Sequence, residues 1–226
     1  VVITGTSEGG LGATTAIALA HAQPSKIFLL ARTERKVSNV IKEIKEISPS
    51  TQVPFVSIEL DDFDSVRKVA ATILALTDTI DVLINNAGVM AIPWEKNKDG
   101  IEKTLAINHL GHFLLTKRLF PAIIAAGPGS RVVNLTSAGY KMGPFRFDDW
   151  NFSVGYQSNP DGRATLTTVQ DGREYNPFAS YAQSKTANIL FTVALAKRAK
   201  DHGVLAFAVH PGCEFAYSLR LILRTN

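Results

Sequence analysis

Tyr181 and Lys185 stand four residues apart at the head of an apolar-periodic run that reaches roughly Lys200. If that run is a helix, the two side chains share a face, and a phenol and an ammonium address the same small volume. A phenol is a poor acid–base group near neutrality, and a cation in the same cleft favours its phenolate form, which suits proton exchange with a substrate. The same spacing also describes a surface aromatic beside a solvated lysine. Two more polar side chains are candidates to work with the pair. Ser137 follows the strand-like run Arg131 to Leu135, at the C-terminal edge where open α/β sheets place their ligands. Asn108 is polar in an apolar surround, and it either satisfies core backbone groups or organises a water in a site.

These groups need a scaffold, and the front of the chain supplies one. Val1-Val2-Ile3 leads into Thr4-Gly5-Thr6-Ser7-Glu8-Gly9-Gly10-Leu11-Gly12, and helical composition follows from Ala13 to Ala22. Strand, glycine-rich turn and helix is the order in which backbone amides approach a phosphate at a helix N-terminus. The candidates there are Gly5, Ser7, Gly10, Leu11 and Gly12, with an ordinary tight βα connection as the alternative. Lys26 to Ala31 predicts a second strand, directly followed by Arg32. In a dinucleotide fold this strand end faces the adenosine ribose, where an acid would bind two ribose hydroxyls. Arg32 offers a guanidinium instead, which can pair with a 2′-phosphate, so NADP(H) is expected over NAD. An arginine merely solvated beside Arg35 and Lys36 is the competing reading.

The pattern continues to alternate. Glu34 to Ile47 is amphipathic at helical period, and Val53 to Leu60 reads as a strand ending in Glu59-Leu60-Asp61-Asp62. Glu59, with Leu60 beside it, is the candidate for contact with adenine, whereas helix capping explains Asp62 as well as any ligand does. Asp81 to Ile84 predicts a fourth strand running into Asn85-Asn86-Ala87-Gly88. The carboxamides can tie neighbouring backbones together, and Asn86, Ala87 and Gly88 can form a floor close to a flat ligand. Thr104 to Ala126 predicts a long helix, kinked or broken at Pro121. Val204 to Val209 is a sixth strand, ended by His210-Pro211-Gly212. Between Gly139 and Asn176 the apolar pattern is fragmentary, so this segment is expected to fold over or beside the cleft. Its aromatics Phe145, Phe147, Trp150, Phe152, Tyr156 and Tyr175 either line a substrate or pack the insertion against the body. Strands alternating with helices imply a mostly parallel sheet covered on both faces.

Composition narrows the class of function. A chain of 226 residues, 46% apolar, can bury a sizeable core as one domain. The formal charge of +4 comes from scattered Lys and Arg, which argues against a nucleic-acid face and is compatible with a phosphorylated cofactor. A single cysteine, Cys213, excludes an internal disulfide framework and a cysteine-rich metal site, and it suits a reducing compartment. His109 and His112 lack carboxylate or cysteine company at metal-ligand spacing, so they read as packed or interface histidines and no metal is expected. No stretch is long and apolar enough for a membrane span, and a cytoplasmic location is expected. The chain starts inside a strand without an initiator Met, so residues are expected to precede Val1, and a targeting or membrane segment there stays open beside the cytoplasmic expectation.

In order and placement, Thr4-Gly5 with Gly10-Leu11-Gly12, Asn85-Asn86-Ala87-Gly88, Asn108, Ser137, Tyr181-x-x-x-Lys185 and Pro211-Gly212 resemble the short-chain dehydrogenase/reductase family over nearly the whole chain. Leu30-Ala31-Arg32, Asp99-Gly100 and Asn108-His109-Leu110-Gly111-His112-Phe113 look like its retinol-dehydrogenase-like and fungal reductase branches. The resemblance implies a single Rossmann-type domain over 1–226, a doubly wound parallel sheet in three αβα layers. Six strands are visible, and the family's seventh is absent or unobserved. It also implies a catalytic set of Asn108, Ser137, Tyr181 and Lys185. Hydride would pass between nicotinamide and a carbonyl carbon while Tyr181 transfers the proton, Ser137 holds the oxygen, Lys185 binds the nicotinamide ribose and Asn108 positions a relay water from an irregularity of its helix. Pro211 and Gly212 would join the cofactor site, and the two long helices would form the bundle of a homodimer or homotetramer.

Four departures stand beside the resemblance. The glycine turn has four residues between Gly5 and Gly10, one more than usual, with Gly9 as relief. Glu59 takes the place of the family's Asp. The Ser137–Tyr181 interval is long, which points to an insertion within 139–176 that could serve a bulky apolar carbonyl or alcohol substrate. The tail, 213–226, has Cys213 where a threonine is usual and is an incomplete substrate-binding segment. A catalytically weak cofactor-binding regulator or scaffold of the same fold, and an NAD-linked alcohol oxidation, are the alternatives to an NADP(H)-dependent carbonyl reductase.

Overall fold

The computed structural model describes residues 1–158, 164–168 and 175–212, with backbone alone for 154–158 and 164–168. Six parallel strands form the central sheet: β1 (Val2–Thr4), β2 (Phe28–Ala31), β3 (Phe55–Ser57), β4 (Val82–Asn85), β5 (Arg131–Leu135) and β8 (Leu205–Val209), in the order β3-β2-β1-β4-β5-β8. The order reverses at β1, whose neighbours are β2 and β4. This is the crevice where doubly wound sheets hold ligands at the carboxyl ends of their strands.

Helices cover both faces, as a Rossmann-type three-layer αβα fold requires. They are α1 (Leu11–Ala20), α2 (Ser38–Ile47), α3 (Phe63–Leu74), α4 (Lys103–Leu105), α5 (Gly111–Ala125) and α6 (Pro177–Ala199). Strand side chains alternate between the faces. Val2, Phe28, Leu30 and Leu83 enter the core beneath α3, α5 and α6, where Val66, Leu115, Leu119 and Leu195 meet them. Ile3, Leu29 and Ile84 pack on the opposite side against Ala16, Val40 and Ile44 of α1 and α2. A buried Leu or Ile of this kind is worth about 1.5–3 kcal/mol relative to exposure, so the two layers anchor the sheet from both sides.

Several boundaries differ from the sequence reading. The second and third strands are shorter than expected: Lys26 pairs with Gln52 only as an isolated bridge ahead of Phe28–Ala31, and of Val53 to Leu60 only Phe55–Ser57 pair with β2. Pro121 lies inside α5 without ending it. Between α4 and α5 the chain adopts one π turn, Ala106–Leu110. The 139–176 segment opens with a 3-10 turn, Ala138–Met142, and contains an antiparallel hairpin of β6 (Val154–Ser158) and β7 (Ala164–Thr168), which periodicity did not reveal. Helix α6 begins at Pro177, capped by the Asn176 side chain, so Tyr181 sits in its second turn rather than at its start. Among the described residues, no helix is long and apolar enough to cross a membrane.

Candidate active site

The turn after β1 is built for close approach. Gly9 holds φ at 77°, the left-handed region that a residue with a side chain enters at a cost, and so absorbs the extra residue of the loop. The Gly10 N–H donates to the Ser7 carbonyl at 3.1 Å and delivers the chain into α1. No side chain caps that helix, so its first N–H groups remain available to a ligand. A methyl at Gly12 would lie 2.5 Å from both the Gly5 carbonyl oxygen and the Asn86 amide nitrogen, which places helix, turn and β4 loop in direct contact.

Alongside this turn runs a cleft of about 440 Å³. Gly5, Ser7 and Leu11 line it at the helix N-terminus, Arg32, Glu59 and Leu60 at the tips of β2 and β3, and Asn86, Ala87 and Gly88 along its floor. Gly10 and Gly12 shape the turn behind that lining, and Pro211 and Gly212 lie exposed beyond β8, outside the cleft. The Arg32 guanidinium has no hydrogen-bond or ion-pair partner among the described residues. Seven lining residues were not among the site candidates read from the sequence: Leu30, Ala31, Ile58, Asp61, Val89, Lys103 and Ile107. Lys103 and Ile107 are four residues apart and share a helix face with each other but not with Asn108, so spacing from that asparagine does not point to them. A methyl at Gly111 would overlap the Leu60 carbonyl oxygen, so the helix that follows Asn108 lies directly against the β3 end of the cleft.

A buried chain of hydrogen bonds joins the floor to Asn108. The Thr4 hydroxyl oxygen accepts from the Asn86 and Ala87 N–H groups, each at 3.0 Å, and lies 2.8 Å from His112 Nε2. His112 Nδ1 lies 3.2 Å from the Asn108 carbonyl oxygen, so that nitrogen must carry the proton and Nε2 accepts from Thr4. Complete burial pushes the imidazole down to about 3, which keeps it neutral. The Asn86 carboxamide donates to the carbonyls of Thr4 and Gly5, and that of Asn85 to Asn134 and Thr116, so both asparagines tie backbone or core elements together.

Asn108 sits in the π turn with its side chain fully engaged. It accepts from the Val89 N–H at 2.8 Å and donates to the Val89 carbonyl at 2.9 Å and the Ser184 hydroxyl at 3.0 Å. Its carbonyl accepts from Asn188 as well as His112. A methyl at Gly88 would lie 3.2 Å from Asn108 Oδ1 and 3.5 Å from Lys185 Nζ. The inner end of the cleft floor thus reaches both residues.

Lys185 is 5% exposed, donates to the Leu135 carbonyl at 3.1 Å and forms no ion pair among the described residues. Burial lowers its ammonium from 10.5 to about 8. Its Nζ lies 5.5 Å from the Tyr181 ring centroid, which confirms the shared helix face. Ser137 leads into the 3-10 turn, its hydroxyl oxygen accepting from the Gly139 N–H at 3.1 Å. A methyl at Gly139 would lie 3.0 Å from Tyr181 Cε1, so the serine turn rests against the tyrosine ring. Tyr181, Lys185, Asn108 and Ser137 therefore gather at one end of the cleft, although none of them forms its lining.

Glu102 holds this assembly from behind. Its buried carboxylate caps α4 by accepting from the Thr104 and Leu105 N–H groups at 2.8 Å each, and it also accepts from Ser180 at 2.9 Å and Tyr175 at 3.1 Å. The helix leading to Asn108 and the helix bearing Tyr181 are locked to one side chain. The insertion packs here too. Asn151 accepts from the Glu102 N–H, Gln183 of α6 donates to the Trp150 carbonyl, and Phe152 is buried against Tyr175. Phe145 and Phe147 meet edge to face, ring centroids 4.9 Å apart, with Phe147 exposed, and the Tyr156 side chain lies outside the described residues. The tail beyond Gly212 likewise lies outside them.

With that geometry in view, the comparisons with known proteins agree. A family model described as short chain dehydrogenase matches residues 1–148. Retinol dehydrogenase 12 of Bos taurus is 39% identical over 212 residues, covering 94% of this chain and 60% of its own length. The chain therefore spans about 60% of that relative. Oxidoreductase fscI of Fusarium equiseti is 35% identical over 231 residues, 98% of this chain and 90% of its own. Among solved structures, an uncharacterized protein from Mycobacterium paratuberculosis superposes with a TM-score of 0.72 at 34% identity, over 93% of this chain and 67% of that one. A metagenomic short-chain oxidoreductase in complex with NADP gives 0.64 at 26% identity, over 100% and 90%.

Proposed function

The chain belongs to the short-chain dehydrogenase/reductase family, and from that premise we propose that it is an NADP(H)-dependent oxidoreductase that reduces a ketone or aldehyde or oxidises the corresponding alcohol. The observation that carries the reading is the convergence of Tyr181, Lys185 and Ser137 where the cleft floor ends at Gly88. The cleft fits a dinucleotide. It offers an uncapped helix N-terminus for the pyrophosphate, a free guanidinium at Arg32 for a 2′-phosphate, and a glycine floor beside a buried ammonium. The metagenomic relative solved with NADP, 26% identical, supports the choice of a nicotinamide dinucleotide.

A bound nicotinamide supplies or receives the hydride. The chain supplies position and proton. In the reducing direction, the Tyr181 hydroxyl donates its proton to the carbonyl oxygen. The Ser137 hydroxyl, whose oxygen already accepts from Gly139, keeps its own proton to donate to the same oxygen and offset its developing charge. Lys185 holds a ribose hydroxyl and favours the tyrosinate left behind. Asn108, locked by Val89 and Ser184, keeps the wall opposite Lys185 in place, and a water held there is the route by which Lys185 regains a proton.

We assign the substrate to small carbonyl or alcohol compounds, with the 139–176 insertion as the source of preference for bulky apolar ones. A homodimer or homotetramer through α5 and α6 is part of the proposal, supported by Phe113, Leu190 and Val193, which are 43%, 47% and 50% exposed. The deciding experiment follows NADPH oxidation with a panel of aromatic and aliphatic aldehydes and ketones. Tyr181→Phe should lower kcat at least ~100-fold with little change in NADPH affinity. Persistence of the original rate would remove Tyr181 as proton donor.

A further inference from the structure

Asn188 follows Lys185 by three residues on the face of α6 that also carries Tyr181, and it is buried. Its carboxamide has three partners. The nitrogen donates to the Leu135 carbonyl at 3.0 Å and to the Asn108 carbonyl at 3.2 Å, while the oxygen lies 3.0 Å from His109 Nδ1. Backbone carbonyls only accept, so the amide nitrogen must face them, and His109 Nδ1 must carry the proton that meets the oxygen. His109 therefore fixes which way the carboxamide points.

The Leu135 carbonyl is the same one that receives the Lys185 ammonium at 3.1 Å. One oxygen at the end of β5 thus has two donors from α6, and the second of them also grips the π turn of Asn108. The Asn108 carbonyl is shared in the same manner, between Asn188 and His112 Nδ1. Asn188 does not line the cleft, so it acts on the site only through these two carbonyls.

We propose that Asn188 is a positioning residue: by giving one amide proton to the Leu135 carbonyl and the other to the Asn108 carbonyl, it sets where the Lys185 ammonium rests and ties that ammonium to the π turn. This rests on the catalytic reading of Lys185 above and adds the group that keeps it in register. An acceptor shared with a second donor favours the charged amine less than an undivided one, so Asn188 and burial act on Lys185 in the same direction. The titratable groups around Lys185 are Tyr181 on its own helix, His112 of α5 and His109 of the π turn. Burial keeps both imidazoles neutral above pH 7, and no carboxylate pairs with Lys185 among the described residues.

The test is the pH profile of kcat/KM for NADPH on the full chain, with the carbonyl compound of the panel that is reduced fastest, beside urea unfolding. Asn188→Ala should lower kcat about tenfold or more and move the alkaline limb upward by at least about half a pH unit, because Lys185 then has the Leu135 carbonyl to itself. His109→Phe, which frees the carboxamide to turn, should move the limb the same way by less. Thr192→Val is the control: Thr192 bonds to Asn134 and to the Asn188 backbone carbonyl and to neither shared oxygen, so it should lose stability and leave the limb where it was. An unmoved limb in Asn188→Ala, or an equal shift in Thr192→Val, would overturn the inference, since loosened packing alone gives those results. If Asn188→Ala does not fold, His109→Phe decides, and an unmoved limb there overturns the inference as well. An unsubstituted protein with no alkaline limb at all would overturn the Lys185 reading and, with it, the inference that stands on it.

Discussion

Lys185 places its ammonium 3.1 Å from the carbonyl oxygen of Leu135, at the C-terminal end of β5, and meets no carboxylate among the described residues. A neutral acceptor does not compensate for burial, which is why the ammonium falls to about 8. If the charged form holds cofactor and assists Tyr181, kcat/KM for NADPH should fall with unit slope as pH rises through about 8. In Lys185→Met that alkaline limb should vanish together with most of the activity. A profile flat from pH 7 to about 9.5 would show that the ammonium is not needed.

His112 makes stability sensitive to acid. Its imidazole is at about 3 in the folded protein against an ordinary 6.5, so between those values the unfolded chain binds a proton that the native state does not. Stability should therefore be lost as pH falls through this window, by up to roughly 1.4 kcal/mol per pH unit from this group. Urea unfolding at pH 7 and at pH 5 measures it. His112→Leu should be less stable at pH 7 because the Thr4 hydroxyl loses its acceptor, yet it should lose less between the two pH values. An unchanged acid dependence would refute the assignment.

Glu102 is the joint between the helix leading to Asn108 and the helix bearing Tyr181. Glu102→Ala strands two backbone N–H groups and the Ser180 hydroxyl, takes one partner from Tyr175, which keeps the Ile92 carbonyl, and removes the cap of α4. A loss of at least about 3 kcal/mol in the urea midpoint analysis is expected. A loss below 1 kcal/mol would mean that water replaces the carboxylate without penalty.

Arg32 should decide between the two nicotinamide dinucleotides. Arg32→Ala is expected to weaken NADPH binding by about tenfold or more while changing NADH affinity less than about twofold. Fluorescence titration of both ligands gives the ratio directly. Equal weakening of the two would assign the guanidinium to the adenosine in general and not to a 2′-phosphate.

Local chemistry made the scaffold legible. The Gly5 to Gly12 turn, Asn86 to Gly88, Asn108, Ser137 and the Tyr181–Lys185 spacing each occupy a few consecutive residues at a strand end or helix face, where period and turn residues carry the signal. The start of α6 was equally visible in Asn176-Pro177, a cap followed by a proline, although apolar periodicity drew attention to Tyr181 instead. What joins distant parts was not legible. Thr4 meets His112 and Glu102 meets Ser180 only after the sheet has formed, and Asp61, after β3, pairs with Lys103 at the start of α4. The β6–β7 hairpin also escaped notice: Val154 and Tyr156, and Ala164 and Leu166, alternate with small or polar residues, but two apolar positions per strand are too short a pattern to stand out.

The contact between Gly111 and the Leu60 carbonyl bears on how this scaffold diversifies. At that joint the helix after Asn108 touches the cleft wall through main chain, so there is no side chain to trim and every replacement of the glycine adds atoms. A descendant or a redesigned protein that must admit a larger molecule gains nothing there. Variation is channelled toward the 139–176 insertion, whose described attachments to Glu102 and Gln183 each have a side chain as one partner and leave the sheet untouched.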